Sequence, residues 1–408
     1  MSCLIFCSAE IGGLPFAMAR TLNECGIKTY YISLSGKVSG HDSTEFHYGS
    51  GQEDWNLSAQ FRGFFSLSHK ADQILFLPTK IAKQLSEIRR QYDITHCLAT
   101  GIKAYLLYRA GIRYRYWSYG SDLDRHCFRP VFPSKYPFWI RGLMYFPFML
   151  VIRPNARKSI RYSSSIMIAP YQLNSLNRIC RAKDLFFLPH LIEILDYDLL
   201  TQEREKSKSR ICREISAQHF FFSSARHEWS GPFKDQSDNK GNDIIIKSFE
   251  RYLSMTKDYG AKLVLVEKGS DVEGSKVLAG KLGISKYVVW IEQRSRDEIQ
   301  HFYQGATICF GQFGTPVITY AVLEPLANGS ICASYCGNQF GEVPFYDKIP
   351  PLFSNRDPEE LARFMIEIKS HKRRYKELCY QSWKWIKDHC SVDRFVGAFS
   401  DTFSLHGS

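Results

Sequence analysis

Short apolar runs recur along most of this chain, and each is followed by a stretch whose apolar residues repeat at helical spacing. No other feature constrains the fold as strongly, because parallel strands need long crossover connections and helices are the segments that supply them. The opening residues hold the unit in miniature. Ser2 to Ser8 is an apolar run ending in Glu10-Ile11-Gly12-Gly13-Leu14-Pro15, after which Phe16, Ala19, Leu22 and Cys25 mark one helix face. Gly26 supplies a stop and Lys28 to Leu34 alternates into a second strand, which makes one βαβ unit. Helices near 79–90 and 103–110 pair with strands at 94–98 and 114–118, and 165–169, a helix-like 171–179 and 185–188 continue the series.

Between Thr201 and Glu214 charge density rises sharply and apolar content falls, which places a domain boundary there. The alternation then restarts with strands at 219–223, 262–266, 288–291, 307–310 and 330–333, and helices at 243–255, 276–282, 296–303 and 318–327 between them. The expected fold class is α/β, with two open, doubly wound domains facing across a cleft. Residues 1–200 form the first and 201–385 the second, while 386–408 is a C-terminal helix returning to the first. A chain of 408 residues is long enough for both. Ligands of such sheets bind at the carboxyl ends of the strands, so substrate is expected in the cleft.

The balance of 53 Lys and Arg against 41 Asp and Glu gives a net charge of +12, which favours an anionic partner. Most of the excess lies between Arg109 and Arg161, where eleven Lys or Arg residues face two acids, Asp122 and Asp124, among twelve aromatics. Basic and aromatic residues together suit an anionic membrane surface. They also suit single-stranded nucleic acid, and the apolar part alone suits a buried core. Prolines limit any interfacial helix to about Trp139 to Ile152, broken near Pro147. No nucleic-acid motif accompanies the charge, so nucleic acid is not an expected partner. The longest apolar run, Gly142 to Ile152, is far below the roughly 20 residues of a spanning helix. The start, MSCLIFCSAE, lacks the basic region of a signal peptide, and the 12 cysteines show no CxxC pair. Cys3/Cys7 and Cys332/Cys336 sit in apolar runs and read as small buried hydrophobes. A reducing, cytoplasmic setting at the inner membrane face is the expectation.

The chemistry-bearing residues cluster in the second half: Arg226, Lys240-Gly241-Asn242-Asp243, Glu267-Lys268-Gly269, and Leu323-Glu324-Pro325-Leu326-Ala327-Asn328-Gly329. Their order and spacing resemble the nucleotide-sugar domain of retaining glycosyltransferases of the two-Rossmann (GT-B) architecture, in the large family numbered 4, often called group 1. The nearest subgroup carries a pattern like Arg-His-x-Trp followed by Lys-Gly-Asn-Asp, here Arg226-His227-Glu228-Trp229 and Lys240 to Asp243. The resemblance covers about 219–370, and the first domain by architecture only. It implies transfer of a sugar from a nucleotide-diphosphate sugar to a glycan or lipid-linked acceptor, with retention, in cell-surface polysaccharide (for instance lipopolysaccharide) biosynthesis.

By that resemblance Arg226 and Lys240 offset the charge that grows on the diphosphate as the glycosyl bond breaks. Glu324 accepts hydrogen bonds from the ribose hydroxyls, and Gly269 forms the turn after a strand. Gly12 and Gly13 occupy the glycine loop of the first domain. Asp122, in Tyr119-Gly120-Ser121-Asp122, orients acceptor or donor sugar; a helix cap is the other reading of the same residue. The family carries a second glutamate eight positions before Glu324, where this chain has Pro316. Gly311-Gln312-Phe313-Gly314 stands nearby, which makes Gln312 and the amides around Gly314 the candidate contacts to the donor sugar. The Arg226 to Lys240 spacing is longer than usual, so 227–239 must fold away from the phosphates. His190, in Leu188-Pro189-His190-Leu191, is expected to be structural. The resemblance implies no metal and no further cofactor. Two other activities fit the same architecture: a sugar-nucleotide epimerase, for which no convincing set of cleft carboxylates is evident, and a non-catalytic partner protein, for which Pro316 argues.

Overall fold

The computed structural model describes residues 2–8, 13–34, 53–64, 78–118, 123, 126–128, 148–181, 183–230, 239–337 and 344–404. They form two compact units. The first holds the chain through Leu188 and again Phe395 onward, and the second holds Pro189 to Phe340 and Tyr346–Arg394.

In the first unit the strands are β1 (Cys3–Cys7), β2 (Thr29–Ser33), β3 (His96–Thr100), β4 (Arg115–Trp117), β5 (Ser165–Met167) and β6 (Asp184–Leu185). The helices between them are α1 (Leu14–Glu24), α2 (Pro78–Gln91), α3 (Tyr105–Arg109), α4 (Arg153–Arg161) and α5 (Leu173–Asn177). All pairings are parallel, in the order β2-β1-β3-β4-β5-β6. Ile5 stands beside Tyr31 on one side and Leu98 on the other, and every residue of β1 is buried. A strand covered on both faces reads as a continuous apolar run, which is why Cys3–Cys7 shows no alternation. Asn23 stitches the end of α1 to β2, donating to Thr29 O at 2.7 Å and accepting from Thr29 N at 3.0 Å. β6 is shorter than the apolar run 185–188 suggests, and Leu188 N donates to Met167 Sδ rather than to a ladder carbonyl.

In the second unit the strands are β7 (His219–Ser223), β8 (Ala261–Val266), β9 (Val288–Ile291), β10 (Ile308–Phe310) and β11 (Cys332–Ala333). Its helices are α6 (Tyr197–Glu214), α7 (Asn242–Thr256), α8 (Val272–Lys281), α9 (Arg296–Gly305), α10 (Tyr320–Ala327), α11 (Pro358–Ser370) and α12 (Lys372–Cys390), and α13 (Val392–Ser404) follows. The sheet is parallel, in the order β11-β10-β7-β8-β9.

The charged stretch 201–214, where composition places a boundary, lies inside α6. Asp196 caps that helix by accepting from Asp198 N at 2.9 Å, and Leu200, Arg204, Ser207 and Ile211 bury one face at helical spacing. Arg204 donates to Asn328 O at 3.0 Å, Ser330 Oγ at 2.9 Å and Tyr375 Oη at 2.6 Å. A buried cation on an otherwise charged helix hides its apolar stripe from composition, and the division between units falls at Leu188/Pro189 instead.

α13 carries Phe395, Phe399 and Phe403 on one face, all buried. Its end meets the amino ends of the first sheet: Phe403 packs on His96 with centroids 5.6 Å apart, and Arg115 donates to Thr402 O at 2.7 Å. Phe399→Ala should therefore destabilise the first unit by about 3–5 kcal/mol. Denaturant unfolding followed by probes in each unit checks this, and an unchanged first-unit midpoint would refute it.

Candidate functional site

In the second sheet the chain runs from β7 outward through β8 and β9, then returns to place β10 on the other side of β7. The carboxyl ends of β7 and β10 therefore flank the point where strand order reverses, which is where open α/β sheets hold their ligands. Ser223 Oγ bonds Phe310 O across this point at 3.0 Å. The segments that leave the two strands carry most of the candidate residues.

The segment after β7 is folded onto the start of α8. Asp271 accepts from the amides of Trp229 at 2.8 Å and Ser230 at 2.9 Å, while Ser275 Oγ takes the Trp229 indole N–H at 2.8 Å and shares a 2.8 Å hydrogen bond with His227 Nδ1. Gly269, with φ +109°, lets the turn after β8 press against this segment: a Cβ there would lie 2.5 Å from His227 O. Its place is thus a backbone contact with the Arg-His-Glu-Trp stretch. Burial pushes the His227 imidazole down to about 4, with Asp271 opposing the shift, so the ring is neutral at neutral pH. Arg226 is left half-exposed, 3.4 Å from Glu228.

The segment after β10 meets the start of α7 backbone to backbone. Gly241 adopts φ +66° as the helix N-cap, and a Cβ on it would lie 2.7 Å from Gly314 N. A Cβ on Gly314 would collide with Asn239. Only glycine fits at either position. Lys240 N donates to Glu228 O at 2.7 Å, Phe313 N to Lys240 O at 2.9 Å, and Lys240 Nζ to Gln312 Oε1 at 3.2 Å. Gln312 is buried and further held by Ser334, whose hydroxyl lies 3.1 Å from Gln312 N and donates to Gln312 O at 2.8 Å.

Glu324 joins the same edge through α9. Its Oε2 accepts from Tyr303 Oη at 3.0 Å, and Tyr303 Oη lies 2.7 Å from Ser224 Oγ, two residues before Arg226. Its Oε1 pairs with Arg296 at 2.9 Å. Burial, with the Glu324 charge adding to it, pushes the Tyr303 hydroxyl well above its usual range, so it stays a donor.

Arg226, Lys240, Gln312, Gly314 and Glu324 are thus linked at one sheet edge by short chains of contacts. Gly13 belongs to the first unit, where it caps α1 with φ +71° at the carboxyl end of β1. Gly12 and Asp122 lie outside the described residues, as does 231–238. Ser224, Arg296 and Tyr303 were not singled out by sequence. Tyr303 occupies an apolar position of α9 beside Ile299 and Phe302, and nothing in the pattern separates it from core.

No protein-family model matches the chain, and no curated protein matches it by sequence. Solved structures do match. A glycosyltransferase from Rickettsia africae is similar with TM-score 0.61 at 13% identity, covering 100% of this chain and 99% of that one. HepE from Anabaena, solved with UDP-glucose, gives TM-score 0.63 at 13% identity over 99% and 100%. The N-terminal domain of a Candida albicans trehalose-6-phosphate phosphatase gives 0.65 at 10% identity over 100% and 97%.

Two outcomes follow from the site's construction. Gly241→Ala should cost at least about 1–2 kcal/mol from the left-handed backbone alone, read as a lowered denaturation midpoint; a change below a few tenths would refute the close approach. The His227 ring is held below its unfolded value of 6.5, so its contribution is present above pH 6.5 and is lost as pH falls towards 4. Stability should decline by up to about 1.4 kcal/mol per pH unit from this residue across that window, and His227→Gln should remove that share of the slope. The matched structures and the two parallel sheets together identify the fold as the two-Rossmann, GT-B architecture.

Proposed function

We propose that this protein is a glycosyltransferase that moves a sugar from a nucleotide-diphosphate sugar to a glycan or lipid-linked acceptor, with retention at the anomeric carbon. The observation that carries the reading is the linked set at the carboxyl edge of the second sheet. Two cations and a helix N-terminus stand on one part of it, and a carboxylate fixed by Tyr303 and Arg296 stands on another. A diphosphate needs the first and ribose hydroxyls the second. HepE, of similar fold, was solved with UDP-glucose, which supports a nucleotide sugar as donor.

As the glycosyl bond breaks, negative charge gathers on the departing diphosphate. Arg226 and Lys240 offset it, and the phosphate oxygen takes the acceptor's proton. Gln312 and the amides around Gly314 are the candidates for contact to the donor sugar by resemblance, and Gln312 Oε1 accepts from the Lys240 ammonium. By the same resemblance Gly12 and Gly13 allow close backbone approach to phosphate or acceptor, and Asp122 orients acceptor or donor sugar. Cell-surface polysaccharide assembly is the setting that the acceptor class suggests. A second reading, a donor-binding protein without transfer, is favoured by Pro316 standing where the related family has an acid.

Calorimetric titration with UDP, GDP and ADP, each beside its 2′-deoxy form, tests the reading. One ribonucleotide should bind saturably and better than its deoxy form, and Glu324→Ala should weaken it at least tenfold and erase that preference. Tyr303→Phe should reduce the preference in part. Lys240→Ala should lower the rate of sugar transfer by about 10²–10³. No binding of any nucleotide by folded protein would overturn the proposal, and binding without transfer to any acceptor would leave the second reading.

A further inference from the structure

From residue 125 to residue 183 the chain contains eleven Lys or Arg and no Asp or Glu. The structure gathers four of these cations together. Arg153, Arg157 and Arg161 recur at every fourth residue and share a face of α4. Arg157 and Arg178 both stand over the Phe128 ring, at 5.6 and 4.5 Å. Arg157 Nε donates to Cys127 O at 3.0 Å and Arg161 Nε to Ile179 O at 3.3 Å, so two of the guanidinium groups are fixed on backbone oxygens. Among the described residues none of the four forms an ion pair with a carboxylate. Partial burial and then the charges of Arg153, Arg161 and Arg178 loosen the proton of Arg157. Such a cluster carries its mutual repulsion in the free protein, and an anion relieves it.

Apolar side chains border the same face. Leu150, 59% exposed, lies three residues before Arg153 in the single π-turn Phe148–Ile152, and Arg153 reaches back to Met149 Sδ at 3.5 Å. At the other end Tyr162, which follows Arg161, stacks on Tyr108 with centroids 4.3 Å apart, and both rings are exposed, at 41% and 56%. A soluble polyanion would engage the cations alone. Cations bordered by an exposed leucine and exposed tyrosines match a headgroup layer, with phosphates above and acyl chains below.

We propose that the α4–α5 face of the first unit, centred on Arg153, Arg157, Arg161 and Arg178 and edged by Leu150, is a docking surface for an anionic phospholipid bilayer. No helix among the described residues is long and apolar enough to cross a membrane, so the contact is peripheral. It does not depend on the transferase reading.

Flotation of the full chain with vesicles of phosphatidylcholine alone, and of phosphatidylcholine with phosphatidylglycerol, tests it. The protein should float with the anionic vesicles only, and less so as salt rises. Replacing both exposed arginines, Arg161→Gln with Arg178→Gln, should weaken binding by roughly tenfold or more. Leu150→Ser alone should weaken it without changing the charge. A cooperative thermal transition in both variants should show that each remains folded. Equal binding to both vesicle types, no binding, or binding unchanged in both variants would each overturn the proposal. So would capture of inorganic polyphosphate by a protein that ignores vesicles, which would make the face a site for a soluble polyanion.

Discussion

Backbone approaching backbone, between 239–241 and 313–314, is the contact on which the second unit's site depends. Two glycines let these segments meet where β-carbons would not fit. Their meeting fixes the N-terminus of α7, the ammonium of Lys240 and the amide side chain of Gln312 in one small volume. The strand order puts that volume at the reversal point between β7 and β10. Without the glycines the same residues would still be present, but the helix end and the loop after β10 could not share an edge.

A second layer of buried polar groups holds the helices that surround this edge. Arg204 ties α6 to the turn before β11 and to Tyr375 of α12. At the opposite end of β7, Asp258 accepts from Tyr252 Oη at 2.5 Å and lies 3.3 Å from His219, with Lys369 of α11 completing the group. Each cluster sits where a helix must be held to a strand end. An apolar contact would give burial there without direction, whereas hydrogen bonds fix orientation.

Much of the architecture was legible because parallel strands covered on both faces must be apolar throughout. β1, β7 and β8 stand within a residue of where their apolar runs place them. Legibility failed where tertiary contacts override local pattern. α6 is dominated by charge yet buries Arg204, so its sequence reads as linker. Arg226, Lys240, Gln312, Gly314 and Glu324 were candidates by resemblance to a family's order of residues, and the fold brings them to one edge. Tyr303 and Arg296 could not be named, because their roles come from a carboxylate twenty or more residues away whose position only the folded chain reveals. Gly269 was legible as the turn after a strand, but its close approach to the backbone of His227 was not.

The docking of α13 carries a consequence for the order in which the protein assembles. Phe403 and Thr402 of α13 meet His96 and Arg115 at the amino ends of β3 and β4, strands made roughly three hundred residues earlier. During synthesis the first unit therefore stands with an apolar edge bare while the whole second unit emerges and can close on its own strands. The first unit is thus left incomplete until the chain beyond the second unit has been made and α13 has docked.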